Sequence, residues 1–368
     1  MILMNDFKAE PPALRAAMTT AAARVFASGW YVLGNELKAF EQRWAAACGT
    51  SHCLGVGNGM DAIELALRAL DLGPGAEVVT TPMTAFATVL AILRAGATPV
   101  LADIDPDSGL LCPASVRRCL TPRTRAVLLV HLYGQMRDMA AWTELCQNAA
   151  IHLIEDCAQA HLASWDGRPA GSLGSAGAYS FYPTKNLGAV GDGGAVVTNS
   201  AQLAARIGQL RNYGQSERYV HPELGMNSRL DELQAALLRE RLQWLDSFTT
   251  RRRAIADHYD QQIRHQRVRL LAAPKQARSH ARHLYVLLCC AREALAAHLA
   301  QRGVQTLIHY PVPVHRQAPC EALARDPLGL AHTEAHAASC LSIPCHPQMS
   351  DADVDTVIEA VNSFDAGF

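Results

Sequence analysis

One lysine follows an apolar, strand-like run in the segment Ser180-Phe181-Tyr182-Pro183-Thr184-Lys185-Asn186-Leu187-Gly188. Aromatic and small neighbours shield this lysine from water, and desolvation lowers the pKa of an ammonium group. The neutral amine is the form that attacks a carbonyl to make a Schiff base. The position therefore predicts a nucleophilic lysine; the alternative is an ordinary solvated loop lysine.

An acid and an amide follow another apolar run, in the segment Ile154-Glu155-Asp156-Cys157-Ala158-Gln159-Ala160-His161. Asp156 ends the run, where α/β folds place ligand groups. A carboxylate there can pair with the nitrogen of a pyridinium ring and keep it protonated, so that the ring acts as an electron sink. The alternatives are a helix N-cap or a structural ion pair for Asp156, and a plain loop amide for Gln159.

A candidate anion site precedes a helical pattern in the segment Gly57-Asn58-Gly59-Met60-Asp61. Backbone N–H groups at a helix start bind phosphate, although such a glycine turn is more often only a turn. Phe86 begins the next helical pattern. Its ring can stack on a pyridine ring, or it can simply pack in the core.

Strands and helices that alternate between residues 50 and 240 must position these side chains, and such alternation is typical of a mainly parallel sheet covered by helices. Between strands, we predict helices over Asp61–Leu72 and Phe86–Ala95. The predicted strands are Cys53–Val56, Glu77–Thr81, Pro99–Asp103, Ala126–Leu132, His152–Asp156, Ala178–Tyr182 and Ala195–Thr198.

A long helix is predicted from Arg229 toward Arg264, and its triplet Arg251-Arg252-Arg253 points around the helix, which indicates solvated side chains. The pattern then changes to shorter elements. We expect a large domain over residues 1–245 with the N-terminal segment, and a small domain over residues 246–368. The small domain's predicted elements are the strands His283–Cys290, Gln305–Tyr310 and Cys340–Pro344, and the helices Glu293–Gly303 and Asp351–Ala360.

Composition narrows the classes of partner. The 33 Lys and Arg against 34 Asp and Glu leave a formal charge of -1, so no basic excess favours nucleic acid or anionic lipid. No signal-peptide pattern or membrane-length apolar run is present, and we expect a cytoplasmic protein. The 11 cysteines lack metal-like spacing, which favours reduced, buried thiols and predicts no metal site.

Several motifs together resemble the DegT/DnrJ/EryC1/StrS sugar aminotransferases, and the resemblance extends from Tyr31-Val32-Leu33-Gly34 to Leu341-Ser342-Ile343-Pro344. It implies the aspartate-aminotransferase fold (fold type I) and the cofactor pyridoxal 5'-phosphate (PLP), which alternates with its amino form, PMP. The motifs are the three segments quoted above together with Val-His-Leu-Tyr-Gly-Gln, Gly-Asp-Gly-Gly-Ala and Asn-Ser-Arg-Leu-Asp-Glu-Leu-Gln-Ala-Ala.

The resemblance also implies a role for each site residue. Lys185 would carry PLP as a Schiff base and shuttle the proton, and Asp156 would pair with the ring nitrogen. Gln159 would touch the phenolic oxygen while Phe86 stacks on the ring. The phosphate would be held by Gly59, Met60 and Ser180, and by Asn227 of a neighbouring subunit, in a homodimer with shared active sites.

Within the family, the chain most resembles the 3-aminotransferases of dTDP-3-oxo-6-deoxyhexoses, through Tyr182, the His-Leu-Tyr-Gly-Gln motif and the pair His309-Tyr310 before Pro311-Val312-Pro313. We expect Tyr182, His309 and Tyr310 to shape a sugar pocket, and L-glutamate to donate the amino group. The alternatives are a 4-aminotransferase acting on a dTDP- or UDP-linked 4-oxo sugar, and a non-catalytic regulatory protein that binds PLP.

Two positions depart from the family pattern. Met60 stands where many relatives have threonine, which removes a hydroxyl from the phosphate site. Leu162 follows Ala-Gln-Ala-His where glycine is usual, so we expect the local backbone or pocket shape to differ there.

Overall fold

The computed structural model describes residues 1–365 and contains a mainly parallel eight-stranded sheet and a smaller C-terminal sheet. The predicted α/β architecture is confirmed. The strands are β1 (His52–Val56), β2 (Glu77–Thr80), β3 (Thr98–Leu101), β4 (Thr124–Val130), β5 (His152–Asp156), β6 (Ser164–Trp165), β7 (Arg168–Pro169), β8 (Ala176–Ser180), β9 (Gly194–Thr198), β10 (Arg269–Leu270), β11 (Tyr285–Leu288), β12 (Ala324–Arg325) and β13 (Cys340–Ile343).

Helices cover both faces of the large sheet and pack on the small one. The α-helices are α1 (Pro12–Ser28), α2 (Asn35–Ala47), α3 (Gly59–Ala69), α4 (Phe86–Arg94), α5 (Pro113–Cys119), α6 (Met139–Asn148), α7 (Ala201–Leu210), α8 (Glu232–Leu242), α9 (Leu245–Gln262), α10 (Arg292–Gln301), α11 (Ala331–Ser339) and α12 (Asp351–Asn362). Short 3₁₀ helices span Phe7–Ala9, Leu132–Gly134, Val314–Arg316 and Ala318–Cys320.

The large sheet has the strand order β1-β9-β8-β5-β4-β2-β3-β12. Pairing is parallel from β8 through β12, and antiparallel where β9 joins β8 and β1. Strand β4 shows why these runs are continuously apolar: Val127 and Leu129 pack into one core cluster, and Ala126 and Leu128 into the cluster on the opposite face. A sheet buried on both faces needs apolar residues at successive positions.

The small sheet has the order β10-β11-β13 and packs against α9, α10 and α12. The predicted strand Gln305–Tyr310 is wrong: Leu307 forms a single antiparallel bridge with Ser342. Pro311 and Pro313 follow at once, and proline has no N–H to continue a ladder. The division at residues 245 and 246 stays a prediction.

The predicted long helix is two helices, because the chain turns between the end of α8 and the start of α9. The prediction that the arginine triplet is solvated is also wrong. Arg252 is buried and donates to the carbonyls of His283 and Cys345, and Arg253 donates to the carbonyl of His280 at 3.0 Å. A guanidinium has several N–H donors, so it can serve converging backbone carbonyls.

The cysteines and the helices can be compared with the expectations drawn from composition, namely reduced thiols and no membrane-spanning segment. All 11 cysteines are free, and nine are buried; Cys112 is half-buried and Cys290 is exposed. Among residues 1–365, no helix is both long enough and apolar enough to cross a membrane.

Candidate active site

A tight turn after β8 carries Lys185. Its backbone N–H donates to the carbonyl of Tyr182 at 2.8 Å. The turn closes so tightly that a Cβ on Gly188 would lie 2.2 Å from the carbonyl oxygen of Pro183, so only glycine fits there. The local sequence thus fixes where the lysine side chain starts.

The Lys185 amine lies in an environment that favours its neutral form. Burial lowers the pKa of Lys185 to about 8, and the negative charge of Asp156 opposes that shift. About a tenth of the amine is therefore neutral at pH 7, and the neutral form is the one that Schiff-base formation requires.

Asp156 ends β5 and is buried beside the lysine. Its carboxylate accepts hydrogen bonds from the Thr88 hydroxyl at 2.9 Å and from the backbone N–H of Ala158 at 3.1 Å. Burial raises the pKa of Asp156, while these two hydrogen bonds and the positive charge of Lys185 counteract that rise. The site therefore holds an acid and an amine that perturb one another.

Glu155, one residue earlier, points to the opposite face because side chains alternate along a strand. Its oxygens accept from the backbone N–H groups of Gly171, Leu173 and Gly174 and contact His131 Nε2 at 2.9 Å. Although His131, Glu155 and Cys157 bring potential metal ligands within 4.8 Å, this carboxylate is already occupied by loop and imidazole donors. Glu155 is therefore a structural acid.

Gln159 connects the segment that carries Tyr133 to Tyr310. Its Oε1 accepts from the backbone N–H of Tyr133 at 2.5 Å, and its Nε2 donates to the Tyr310 hydroxyl at 3.4 Å. Burial and the charge of Asp156 raise the pKa of Tyr310 to about 12, so this phenol stays protonated at neutral pH. Asp156, Gln159 and Tyr310 thus share one locality.

The candidate anion site lies where α3 begins at Gly59. The side chain of Asn58 caps the helix by accepting from the N–H of Asp61 at 2.8 Å, while the N–H groups of Gly59 and Met60 have no partner within a helix. A Cβ on Gly59 would lie 2.6 Å from Cβ of Ser180, so glycine permits this close approach. The half-buried Met60 packs against the neighbouring core cluster.

These residues fit PLP, with an amine for its aldehyde, an acid for its ring nitrogen and a helix start for its phosphate. Phe86 is half-buried against a separate cluster around Val89, and its stacking role stays a prediction. Asn227 is exposed and bridges to Asn212 through its backbone. Its role from a neighbouring subunit also stays a prediction.

The three expected sugar-pocket residues differ in exposure. Tyr182 is 53% exposed, whereas His309 and Tyr310 are half-buried. Nδ1 of His309 lies 2.8 Å from the Ser342 hydroxyl, and burial with the positive charge of Lys185 lowers the pKa of His309 to about 4. His309 is therefore neutral at pH 7 and lies within the electrostatic reach of the lysine.

Sequence reasoning missed Thr88 and Tyr133. Thr84 lies just before α4 and Thr88 lies in its first turn, with their hydroxyls 2.8 Å apart, so the repeated threonine beside Phe86 is a signal that could have been used. Tyr133 stands in the Val-His-Leu-Tyr-Gly-Gln motif, but nothing local indicates its distant partners.

Leu162 adopts a left-handed backbone with φ of 62°, which a glycine would occupy more easily. Its carbonyl accepts from Arg253 at 3.1 Å, and its side chain packs against the core cluster that contains Trp44. Leu162 therefore holds a backbone conformation that glycine adopts at lower cost, and whether the local shape differs from that of relatives stays a prediction.

The chain is similar to sugar transaminases along nearly its whole length. The profile of the DegT/DnrJ/EryC1/StrS aminotransferase family matches residues 12–362. The dTDP-3-amino-3,4,6-trideoxy-alpha-D-glucose transaminase of Streptomyces venezuelae is 46% identical over 98% of this chain and 95% of that protein. The dTDP-3-amino-3,6-dideoxy-alpha-D-galactopyranose transaminase of Aneurinibacillus thermoaerophilus is 44% identical over 94% of each protein.

Structural similarity agrees with these relationships. The crystal structure of S. venezuelae DesV in complex with a ketimine intermediate has a TM-score of 0.94 and 45% identity, and the match covers 98% of this chain and 97% of that one. This similarity confirms the predicted fold class.

Proposed function

Because this chain belongs to the DegT/DnrJ/EryC1/StrS aminotransferase family and is a PLP-dependent sugar aminotransferase, we propose that it aminates C3 of a dTDP-linked 3-oxo-6-deoxyhexose with L-glutamate as donor. The observation that carries this proposal is the hydrogen bond that Gln159 Nε2 donates to the Tyr310 hydroxyl at 3.4 Å, which brings the His309-Tyr310 pair to the candidate site. Burial and the positive charge of Lys185 together lower the pKa of His309. Relatives named for 3-amino sugars support the choice of C3.

When bound, PLP supplies an electron sink and carries the amino group from one substrate to the other. In the proposal, the Asp156 carboxylate holds the proton on the ring nitrogen, and the bonds from Thr88 and Ala158 keep that carboxylate oriented. The first-turn N–H groups of Gly59 and Met60 bind the phosphate, with Ser180 packed beside them.

Lys185 serves as the proton carrier. Its lowered pKa lets the Nζ atom accept a proton from the substrate carbon and return one at a neighbouring position. The second half-reaction reverses the proton transfers of the first, so one amine can serve both. Neutral His309 and the Tyr310 phenol can exchange hydrogen bonds with sugar hydroxyls, while their rings cover the apolar faces of the sugar.

We propose that the active unit is a homodimer in which Asn227 enters the partner's phosphate site. Large apolar side chains remain exposed in two segments, one near residue 30 and one beside Asn227, and a second copy would cover them. These side chains are Trp30, Tyr31, Tyr213, Tyr219, Val220 and Leu224.

Mixing inactive subunits tests the shared site. Coexpressed Lys185→Ala and Asn227→Ala chains would form hybrid dimers in which one site has both intact residues, so partial activity should return. Each variant expressed alone is the control. No rescue in purified, mass-verified hybrids would contradict the shared site.

A substrate panel tests the reaction itself. The protein is given L-glutamate with dTDP- and UDP-linked 3-oxo and 4-oxo hexoses, and NMR and mass spectrometry locate the new amino group. The proposal expects amination at C3 of a dTDP-linked 6-deoxyhexose and formation of 2-oxoglutarate. Amination at C4 would favour the 4-aminotransferase alternative. Binding of PLP without turnover of glutamate would favour a regulatory protein.

A further inference from the structure

Tyr133 lies between Gln159, whose amide is expected to contact the cofactor, and His309 and Tyr310, the proposed wall of the sugar pocket. It is 2% exposed and has a left-handed backbone, with φ of 61° and ψ of 0°. Its backbone N–H donates to Gln159 Oε1 at 2.5 Å, and its hydroxyl donates to the carbonyl of His309 at 2.7 Å. One buried residue therefore contacts two parts of the site that lie far apart in sequence.

A third contact fixes the direction of these hydrogen bonds. The Tyr133 oxygen lies 2.9 Å from Nε2 of His336. A phenol has one proton, and the His309 carbonyl can only accept, so Nε2 of His336 must donate to the phenol oxygen. Nδ1 of His336 is buried and has no hydrogen-bond partner among residues 1–365, which agrees with a neutral ring whose single proton is on Nε2.

Packing restricts the phenol as well. The rings of Tyr133 and His336 stack, with centroids 6.0 Å apart and an interplanar angle of 20°. A Cβ on Gly109 would lie 2.7 Å from Cε1 of His336, so the backbone of Gly109 packs closely on the imidazole. The hydroxyl is thus held at one place, facing the His309 carbonyl.

We infer that Tyr133 is a positioning residue that sets the His309-Tyr310 wall relative to Gln159, and so controls how tightly the oxo-sugar binds. The inference rests on the proposed function of His309 and Tyr310. Tyr133 has no role in proton transfer; its hydroxyl acts through the 309 carbonyl, and its N–H acts through the Gln159 amide.

Tyr133→Phe separates these two actions, because it removes the hydroxyl and keeps the ring and the backbone N–H. The glutamate half-reaction should keep its rate, since Gln159, Asp156 and Lys185 are untouched. The KM for the oxo-sugar should rise about tenfold with a smaller change in kcat, as expected for the loss of one well-made buried hydrogen bond.

Tyr259→Phe is the matched control. Tyr259 is also buried and donates its hydroxyl to a backbone carbonyl, that of Pro344, at 2.8 Å. Tyr259→Phe makes the same chemical change in the core packed against α9. This variant should therefore be less stable, while its KM for the sugar should stay unchanged. A KM increase of equal size in both variants would show a general packing effect and would overturn the inference.

Hydrogen exchange of the cofactor-free chain gives a readout without catalysis. In Tyr133→Phe, amides of the peptide spanning residues 305–312 should exchange faster than in the wild type, while those of β4 and β5 should not. If the wild type aminates a sugar but the variant keeps its KM and its exchange rates, the inference fails alone. If the wild type aminates no sugar in the panel, the proposed function fails, and exchange still decides whether the hydroxyl holds this wall.

Discussion

The lowered pKa of Lys185 can be measured directly, because the chain has only four lysines. Lys8, Lys38 and Lys275 are exposed and provide internal references. With a pKa of about 8, about a quarter of the Lys185 amine is neutral at pH 7.5; at the ordinary 10.5 the neutral share would be about one in a thousand. The environment therefore raises the reactive fraction by about two orders of magnitude.

Reductive methylation of the cofactor-free protein reports this fraction. Brief labelling with formaldehyde and cyanoborohydride at pH 6 to 10, followed by peptide mass spectrometry, gives a separate profile for each lysine. Labelling of Lys185 should rise with pH and reach half its maximum near pH 8, since the neutral form is the nucleophile. The three exposed lysines correct for the reactivity of the reagent at each pH.

Asp156→Asn should shift the labelling midpoint of Lys185 in a defined direction. The carboxylate of Asp156 raises the pKa of Lys185 against the larger effect of burial, so removing its charge should move the midpoint below that of the wild type. A wild-type midpoint near pH 10, or an upward shift in Asp156→Asn, would refute the electrostatic reasoning about this site.

Lys185→Ala should remain folded and bind PLP only noncovalently, which borohydride reduction and mass spectrometry would check; a reducible covalent adduct with normal turnover would contradict the assignment. His309→Ala should slow the sugar half-reaction more than the glutamate half-reaction in single-turnover assays, and equal losses would contradict its pocket role. Leu162→Gly should be more stable to urea than Leu162→Ala by about 1 kcal/mol, because both lose the side chain but only alanine keeps the cost of φ at 62°. Equal unfolding midpoints would show that the left-handed backbone costs nothing here. Thr88→Val should weaken PLP binding about tenfold by removing the bond to Asp156. Thr249→Val should not, because it removes a buried hydroxyl that has no hydrogen-bond partner in the described part of the chain. Unchanged PLP affinity in Thr88→Val would count against the orienting role of this bond.

Local sequence was sufficient for the features that a few consecutive residues encode. The apolar runs predicted seven of the eight strands of the large sheet, because burial on both faces requires them. The eighth, the edge strand β12, has two exposed residues and no apolar run to predict it. The turn around Lys185 follows from proline and glycine within its own segment. The helix predicted over Asp61–Leu72 is present as α3, which begins two residues earlier, at Gly59. Asp156 was placed correctly at a strand end because parallel strands present their carboxyl ends at one edge.

Tertiary structure decided the features that depend on partners from distant segments. Asp156 is oriented by Thr88, which lies 68 residues earlier, and Tyr133 contacts His309 across 176 residues. Arg252 looks solvated in its own helix but is buried because the carbonyl of Cys345, 93 residues away, accepts its N–H. No periodicity encodes such contacts, since they arise only when packed elements bring an isolated donor to an isolated acceptor.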